Sequence, residues 1–110
     1  MATTYKVLGQ AVAIAGTEVD LYTVPASTQT VVSSITVANR DSVSTTFRIA
    51  VRPNSEVLAN RHYVAYEITL DRNSTQVFTL GITLDAGDVI TVRAAAATVS
   101  FNAFGTEITA

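Results

Sequence analysis

The chain has 110 residues and no cysteine, so it is long enough for one domain and contains neither a disulfide framework nor a thiolate zinc site. Hydrophobic residues make up 48% of the chain and charged residues only 15%, which excludes a disordered protein. The net charge is -2 and the seven basic residues are spread singly, so the sequence lacks the basic patch on which binding to DNA or RNA depends.

Valine, threonine and isoleucine together make up 39 of the 110 residues, and these β-branched residues favour a pleated sheet over a helix, so the composition predicts an all-β fold. The first predicted strand covers residues 5–13, with Gly9 as a candidate bulge. The second covers residues 18–24 and ends at Pro25.

The third predicted strand covers residues 30–39, and both of its faces are predicted to be at least partly buried. Strict alternation divides its side chains into two sets, Val31, Ser33, Ile35 and Val37 against Val32, Ser34, Thr36 and Ala38. The fourth, residues 45–52, alternates clearly and is predicted to be half buried. Its inward set is Phe47, Ile49 and Val51, and its outward set is Thr46, Arg48, Ala50 and Arg52.

Pro53 and the capping residues after it favour one short helical turn up to residue 59, and nothing in the sequence supports a long helix. Strand character returns at residues 62–70 and again, around Gly81, at residues 75–84. Residues 85–88 form a predicted tight turn, and the simplest interpretation is a hairpin that leads into the next strand.

The last two predicted strands cover residues 89–94 and 98–108. Phe104 is out of phase with Val99, Phe101 and Ala103, the inward residues of its strand, so it is predicted to be exposed unless another chain covers it. The pattern predicts an all-β fold, an antiparallel β-sandwich or jelly roll of about eight strands with at most one short helical turn. Residues 1–4 are predicted to be a flexible N-terminal segment and residues 5–110 a single β-sandwich domain.

A search for catalytic groups argues against an enzyme. The single histidine, His62, has no partner indicated by the sequence, and a surface or interface role is expected for it. Three acidic residues could supply a carboxylate pair, but no spacing brings two of them together: Glu56, Glu67 and Asp71. We therefore predict neither catalytic residues nor a metal or other cofactor.

Interface residues are the better candidates, because arginine and tyrosine combine apolar contact area with directional hydrogen bonds. Arg48 and Arg52 share the outward face of one strand, and Tyr63 and Tyr66 lie together in another. With Phe104, they form the predicted set of interface residues. The low charge and the amount of apolar surface also predict self-association, as a homotrimer in which sheet edges make the contacts.

Several segments between residues 20 and 108 resemble small virion structural proteins of tailed bacteriophages. The segments are Tyr22-Thr23-Val24-Pro25-Ala26, residues 31–40, residues 46–53, Arg61-His62-Tyr63, residues 79–84, Asp88-Val89-Ile90-Thr91-Val92 and residues 99–105. The resemblance implies a β-sandwich or jelly-roll subunit that is repeated many times on a particle. It carries no catalytic residues.

Within this class, capsid decoration (cement) proteins are the best match in size, which implies binding to the major capsid protein and stabilisation of its shell. A tail, baseplate or neck component is the alternative, and a carbohydrate- or receptor-binding jelly roll is a third interpretation. No apolar run approaches the roughly 18 residues of a membrane span, and the N-terminus lacks the pattern of a signal peptide. Synthesis in the host cytoplasm, no membrane partner and a final location in the virion are therefore expected.

Overall fold

The computed structural model describes residues 1–109 and confirms the all-β fold. Its strands are β1 (Ala2–Val12), β2 (Val19–Thr23), β3 (Thr28–Asn39), β4 (Thr45–Arg52), β5 (Tyr63–Leu70), β6 (Thr75–Phe78), β7 (Ile82–Leu84), β8 (Val89–Ala94) and β9 (Val99–Thr109). The structure has two single 3-10 turns, Pro53–Ser55 and Asn60–His62, whereas the sequence predicts at most one helical turn. Within the described residues, no helix is long and apolar enough to cross a membrane.

The strands form two antiparallel sheets that pack face to face. The larger sheet has the order β1-β9-β3-β6, with β7 also paired to β3, and the smaller sheet has the order β2-β8-β4-β5. Since β6 and β7 follow one another along β3, they share one strand position, which leaves eight positions. Most connections cross from one sheet to the other, and the order is that of a jelly roll.

The core lies between the sheets and is built from the inward side chains of each strand. Phe47 and Phe101 are fully buried, and their ring centroids lie 6.3 Å apart in an edge-to-face arrangement. Phe78 packs against Phe47 in the same way at 5.7 Å. Strict alternation predicted the burial of Phe47 and Ile49 in β4 and of Phe101 in β9, and the structure confirms it.

The predicted faces of β3 are wrong in the first half of the strand. Val31 is exposed and Val32 is buried, whereas Ile35 and Val37 point into the core as expected. The pairing with β9 shifts register between Val32 and Ser34, so β3 contains a β-bulge. An extra residue at a bulge reverses the parity of the alternation, which is why one uniform pattern could not describe both halves.

The predicted hairpin at residues 85–88 is also wrong, although the turn itself is present. The amide of Asp88 donates a hydrogen bond to the carbonyl of Asp85 at 3.0 Å, and Gly87 has a φ of 87° that favours glycine. However, β7 belongs to the larger sheet and β8 to the smaller one. The turn therefore carries the chain across the core.

β1 begins earlier than expected, because Ala2 pairs with Thr109 and residues 2–4 are part of the strand. The strand therefore includes three of the four residues of the predicted N-terminal segment. Further along β1, a bulge separates Val7 from Gly9. A Cβ atom on Gly9 would lie 2.0 Å from the carbonyl oxygen of Leu21, so only glycine allows β1 to approach β2 this closely.

Candidate functional site

The structure brings three of the five predicted interface residues together on the outer face of the smaller sheet. The rings of Tyr63 and Tyr66 meet edge to face with centroids 4.9 Å apart. The guanidinium carbon of Arg48 lies 4.4 Å from the centroid of Tyr66 and 5.8 Å from that of Tyr63. With Glu67, these residues form what we call the Tyr-Arg cluster.

A β-bulge in β5 creates this cluster. Tyr63 and Tyr66 are an odd number of residues apart, so strict alternation would place them on opposite faces of the sheet. Ile49 pairs with Ala65 and the next residue, Ala50, pairs with Tyr63, so one extra residue in β5 brings Tyr63 to the face of Tyr66. A second shift follows at Tyr66 and Glu67, because Phe47 pairs with Ile68. Glu67 has the left-handed φ of 49° that accompanies this irregularity. The bulge thus turns Tyr66 and Glu67 toward Arg48.

Glu67 holds Arg48 in place, and sequence reasoning had assigned it no specific role. A guanidinium nitrogen of Arg48 donates a hydrogen bond to Glu67 Oε1 at 2.8 Å. The hydrogen bond from Arg48 lowers the pKa of Glu67, and the same contact raises the pKa of Arg48 above its already high value. Both groups are therefore charged at neutral pH and largely cancel one another.

An open cavity of about 490 Å³ lies beside the cluster and is lined by Asn60, Tyr63 and Tyr66. Tyr66 is 55% exposed. Asn60 follows β4 and belongs to the second 3-10 turn, which leads directly into β5. The turn and the bulged strand therefore place an amide and two aromatic rings at one site.

Arg52 shares the outer face of the smaller sheet but is held elsewhere. Its side chain donates hydrogen bonds to Thr91 Oγ1 at 2.9 Å, to Asp20 Oδ1 at 3.1 Å and to the carbonyl of Glu56 at 2.9 Å. Arg93 on the same face pairs with Glu18. This side of the sandwich therefore presents paired charges, and Arg52 is engaged in the packing of β2 and β8 against β4.

Phe104, the fifth predicted residue, lies on the opposite side of the molecule. It is half buried on the outer face of the larger sheet, between Val7 of β1 and Ser34 of β3. Among the described residues, the outward side chains of β1, β9, β3 and β6 themselves include no charged group, and we call this surface the uncharged face. One charge reaches its end from outside these strands, because Arg40, which follows β3, donates a hydrogen bond to Ser100 Oγ at 2.8 Å. Its larger apolar members are Tyr5, Val7, Val12, Val31, Val77, Phe104 and Ile108.

His62 is buried, so its expected surface position is wrong. Its Nδ1 accepts a hydrogen bond from the amide of Ala59 at 3.0 Å. The neutral ring must then carry its proton on Nε2, which donates to Glu56 Oε1 at 3.1 Å. This hydrogen bond, followed by that from Arg61, lowers the pKa of Glu56. The histidine therefore fastens the turn before β5.

A buried polar group that sequence reasoning missed lies under the start of β1. The hydroxyl of Tyr22 donates to Glu107 Oε2 at 2.6 Å and lies 2.8 Å from Thr30 Oγ1. Burial, and secondarily the hydrogen bond to Glu107, raises the pKa of Tyr22 from 10.0 to about 12. Lys6 approaches the same carboxylate at 3.3 Å. The group ties β2 to β3 and β9.

This arrangement predicts a loss of stability at high pH. Because the pKa of Tyr22 is raised in the folded state, its contribution is complete below pH 10.0 and disappears as the pH rises to about 12. Tyr22→Phe should lower the free energy of unfolding at neutral pH by about 1–3 kcal/mol, since Glu107 and Thr30 lose a partner. Between pH 10.0 and about 12, the free energy of unfolding of Tyr22→Phe, measured by urea titration, should also decline less than that of the wild-type protein. An equal decline in both proteins would contradict the assignment.

Within residues 1–109, no group of three or more histidine, aspartate or glutamate side chains is arranged to hold a metal ion. The geometry instead provides two surfaces on opposite sides of one sandwich, the uncharged face and the Tyr-Arg cluster with its cavity. In comparisons with known proteins, no family model matches the chain, and no curated protein matches it.

Proposed function

We propose that the protein is a structural subunit of a phage virion, a capsid decoration protein that binds the shell of the major capsid protein through the uncharged face. The proposal rests on the difference in charge between the two outer faces of the sandwich. One outer face has paired charges, and the other combines exposed apolar side chains with small polar ones. An apolar patch with a polar surround is typical of a surface that contacts another protein.

The uncharged face is large enough for such a contact. Four strands about 4.8 Å apart, with a mean length of about nine residues, cover a flat area of roughly 600 Å². A standard interface buries about 800 Å² on each partner, so a moderate extension beyond the sheet completes it. Apart from Arg40 at its end, this surface carries no charge whose burial would be costly, which favours a protein partner over a nucleic acid.

The free edge of the larger sheet supports self-association as a homotrimer. Residues 2–7 of β1 are all exposed, and this half of the strand pairs only with β9. Gly9 also pairs with β9 but lies in addition against Leu21 and Tyr22 of β2. An unpaired strand edge is a template for pairing with another chain, and a closed ring of three copies would cover this edge in each subunit without open growth. Three linked copies would bind the shell more tightly than one.

We expect the purified protein to bind undecorated capsids of its own phage and to raise their resistance to heat. Val7→Asp and Val77→Asp should each lower capsid affinity by at least about tenfold, because each places an unpaired charge in the interface. Val57→Asp is the matched control, because Val57 is 88% exposed and lies in a loop outside the uncharged face. Cosedimentation and calorimetry of the capsids provide the measurements.

The cement role would be wrong if the wild-type protein neither bound capsids nor changed their heat resistance. Copy number separates it from the alternative of a tail, baseplate or neck component. Quantitative mass spectrometry of virions should find the protein in amounts comparable to the major capsid protein. A few copies per particle, located at the tail, would favour the alternative.

Light scattering on the purified protein should give a mass near three chains. Phe104→Asp should lower this mass or cause aggregation, because it puts a charge beside the free edge strand, next to Val7. Thr69→Asp, an exposed position on the smaller sheet, is the control and should leave the mass unchanged. A monomer at every concentration would contradict the trimer.

A further inference from the structure

We infer that the Tyr-Arg cluster and Asn60 form a binding site for a neutral saccharide, with room for one or two pyranose rings. The inference does not depend on the proposed role in the capsid, because it concerns the outer face of the other sheet. The cavity of about 490 Å³ lies within the size range of ligand sites, roughly 300–1,000 Å³.

The two tyrosines form a corner that suits a flat ring. Their planes are inclined by 76°, so one ring offers its face where the other offers its edge. The face of an aromatic ring is electron-rich and attracts the slightly positive C–H groups on the apolar side of a pyranose. Tyr66 is 55% exposed and is therefore accessible for such stacking.

Arg48 and Glu67 fix the position of the Tyr66 ring before a ligand binds. The guanidinium lies over Tyr66 at 4.4 Å, and the carboxylate of Glu67 fixes the guanidinium through a hydrogen bond of 2.8 Å. A ring that is already immobilised loses little conformational entropy when a ligand stacks on it. The two charges neutralise one another, so the site favours a neutral sugar over a charged one.

Asn60 supplies the polar contacts that a saccharide requires. Its side-chain amide contains both donors and an acceptor, and neighbouring hydroxyl groups of a pyranose match such a pair. Asn60 is exposed and lines the cavity, so its amide is accessible to a ligand. The cavity therefore offers a saccharide both an aromatic surface and an amide.

The ring geometry favours a saccharide over a proline-rich peptide. An extended peptide of that kind needs a row of aromatic slots along its length. Here the two rings are nearly perpendicular and provide a single corner. The site also lies opposite the uncharged face, so it stays accessible when that face is covered.

The test is a two-dimensional NMR titration of the isolated protein with four neutral probes at millimolar concentrations. The probes are methyl β-D-glucopyranoside, methyl α-D-mannopyranoside, methyl β-D-galactopyranoside and N-acetylglucosamine. We expect at least one of them to cause saturable shifts at Asn60, Tyr63 and Tyr66. Tyr66→Ala should weaken that binding by at least about tenfold, and Tyr66→Phe, which keeps the ring, should largely retain it.

Tyr5→Ala is the matched control, since Tyr5 is 84% exposed on the uncharged face, and it should bind the same probe with unchanged affinity. Absence of saturable shifts at the site with all four probes would overturn the inference, as would equal binding by Tyr66→Ala. Loss of capsid binding in Tyr66→Ala would overturn it too, because the cluster would then be a protein contact. Failure of the wild-type protein to bind capsids would overturn only the proposed function.

Discussion

Phe101→Ala should lower the free energy of unfolding by about 3–5 kcal/mol, because it removes a fully buried ring from the centre of the core. Phe101 belongs to β9, which lies between β1 and β3, so the resulting cavity faces residues from both sheets. A domain of this kind is stable by about 5–15 kcal/mol in total. The loss is therefore a large fraction of its stability, and a urea titration followed by circular dichroism would measure it.

Phe104→Ala is the control, because it makes the same chemical change three residues later in the same strand. Phe104 lies on the outer face and is half buried, so its truncation leaves no closed cavity. We expect a loss of about 1 kcal/mol, in the range of ordinary substitutions. Similar losses for the two variants would show that the core is not where the structure places it.

Gly9→Ala should lower the free energy of unfolding by about 3 kcal/mol, the upper end of the usual cost of overpacking. The added methyl group would lie 2.0 Å from the carbonyl oxygen of Leu21 and 3.1 Å from its carbonyl carbon. Both are backbone atoms, so no side chain can move aside to make room. β1 must then separate from β2, and hydrogen exchange should become faster at the amides of residues 8–12.

Gly16→Ala separates this effect from the conformational cost of losing a glycine. Gly16 has a φ of 68°, but a Cβ atom there would meet nothing closer than Arg93 Nη2 at 3.9 Å. The expected cost is only about 1–2 kcal/mol, that of a left-handed residue. If Gly9→Ala were no less stable than Gly16→Ala, the close approach of β1 to β2 would be contradicted.

The inward faces of β4 and β9 could be predicted from the sequence alone, because both strands alternate without interruption on that side. Phe47, Ile49, Phe101 and Ala103 are buried as the pattern predicts. The excess of β-branched residues likewise determined the all-β class. Both properties depend only on local geometry, since side chains in a strand alternate with a period of two.

The bulges depended on the tertiary structure. In β3, the register shift next to Ser34 reverses which side chains are buried. In β5, the extra residue between Tyr63 and Ala65 puts Tyr63 and Tyr66 on one face and so creates the candidate binding site. A bulge is determined by the register with a neighbouring strand, and that neighbour can be distant in sequence.

The pairing of the strands also determined which side chains lie together on each surface. Val7, Ser34 and Phe104 come from separate parts of the sequence and meet only because β9 inserts between β1 and β3. Likewise, the turn at residues 85–88 has the local chemistry of a hairpin but connects two sheets. Local sequence determined the turn and the period of each strand, whereas the packing of the whole chain determined the partners, because strand pairing is a long-range interaction.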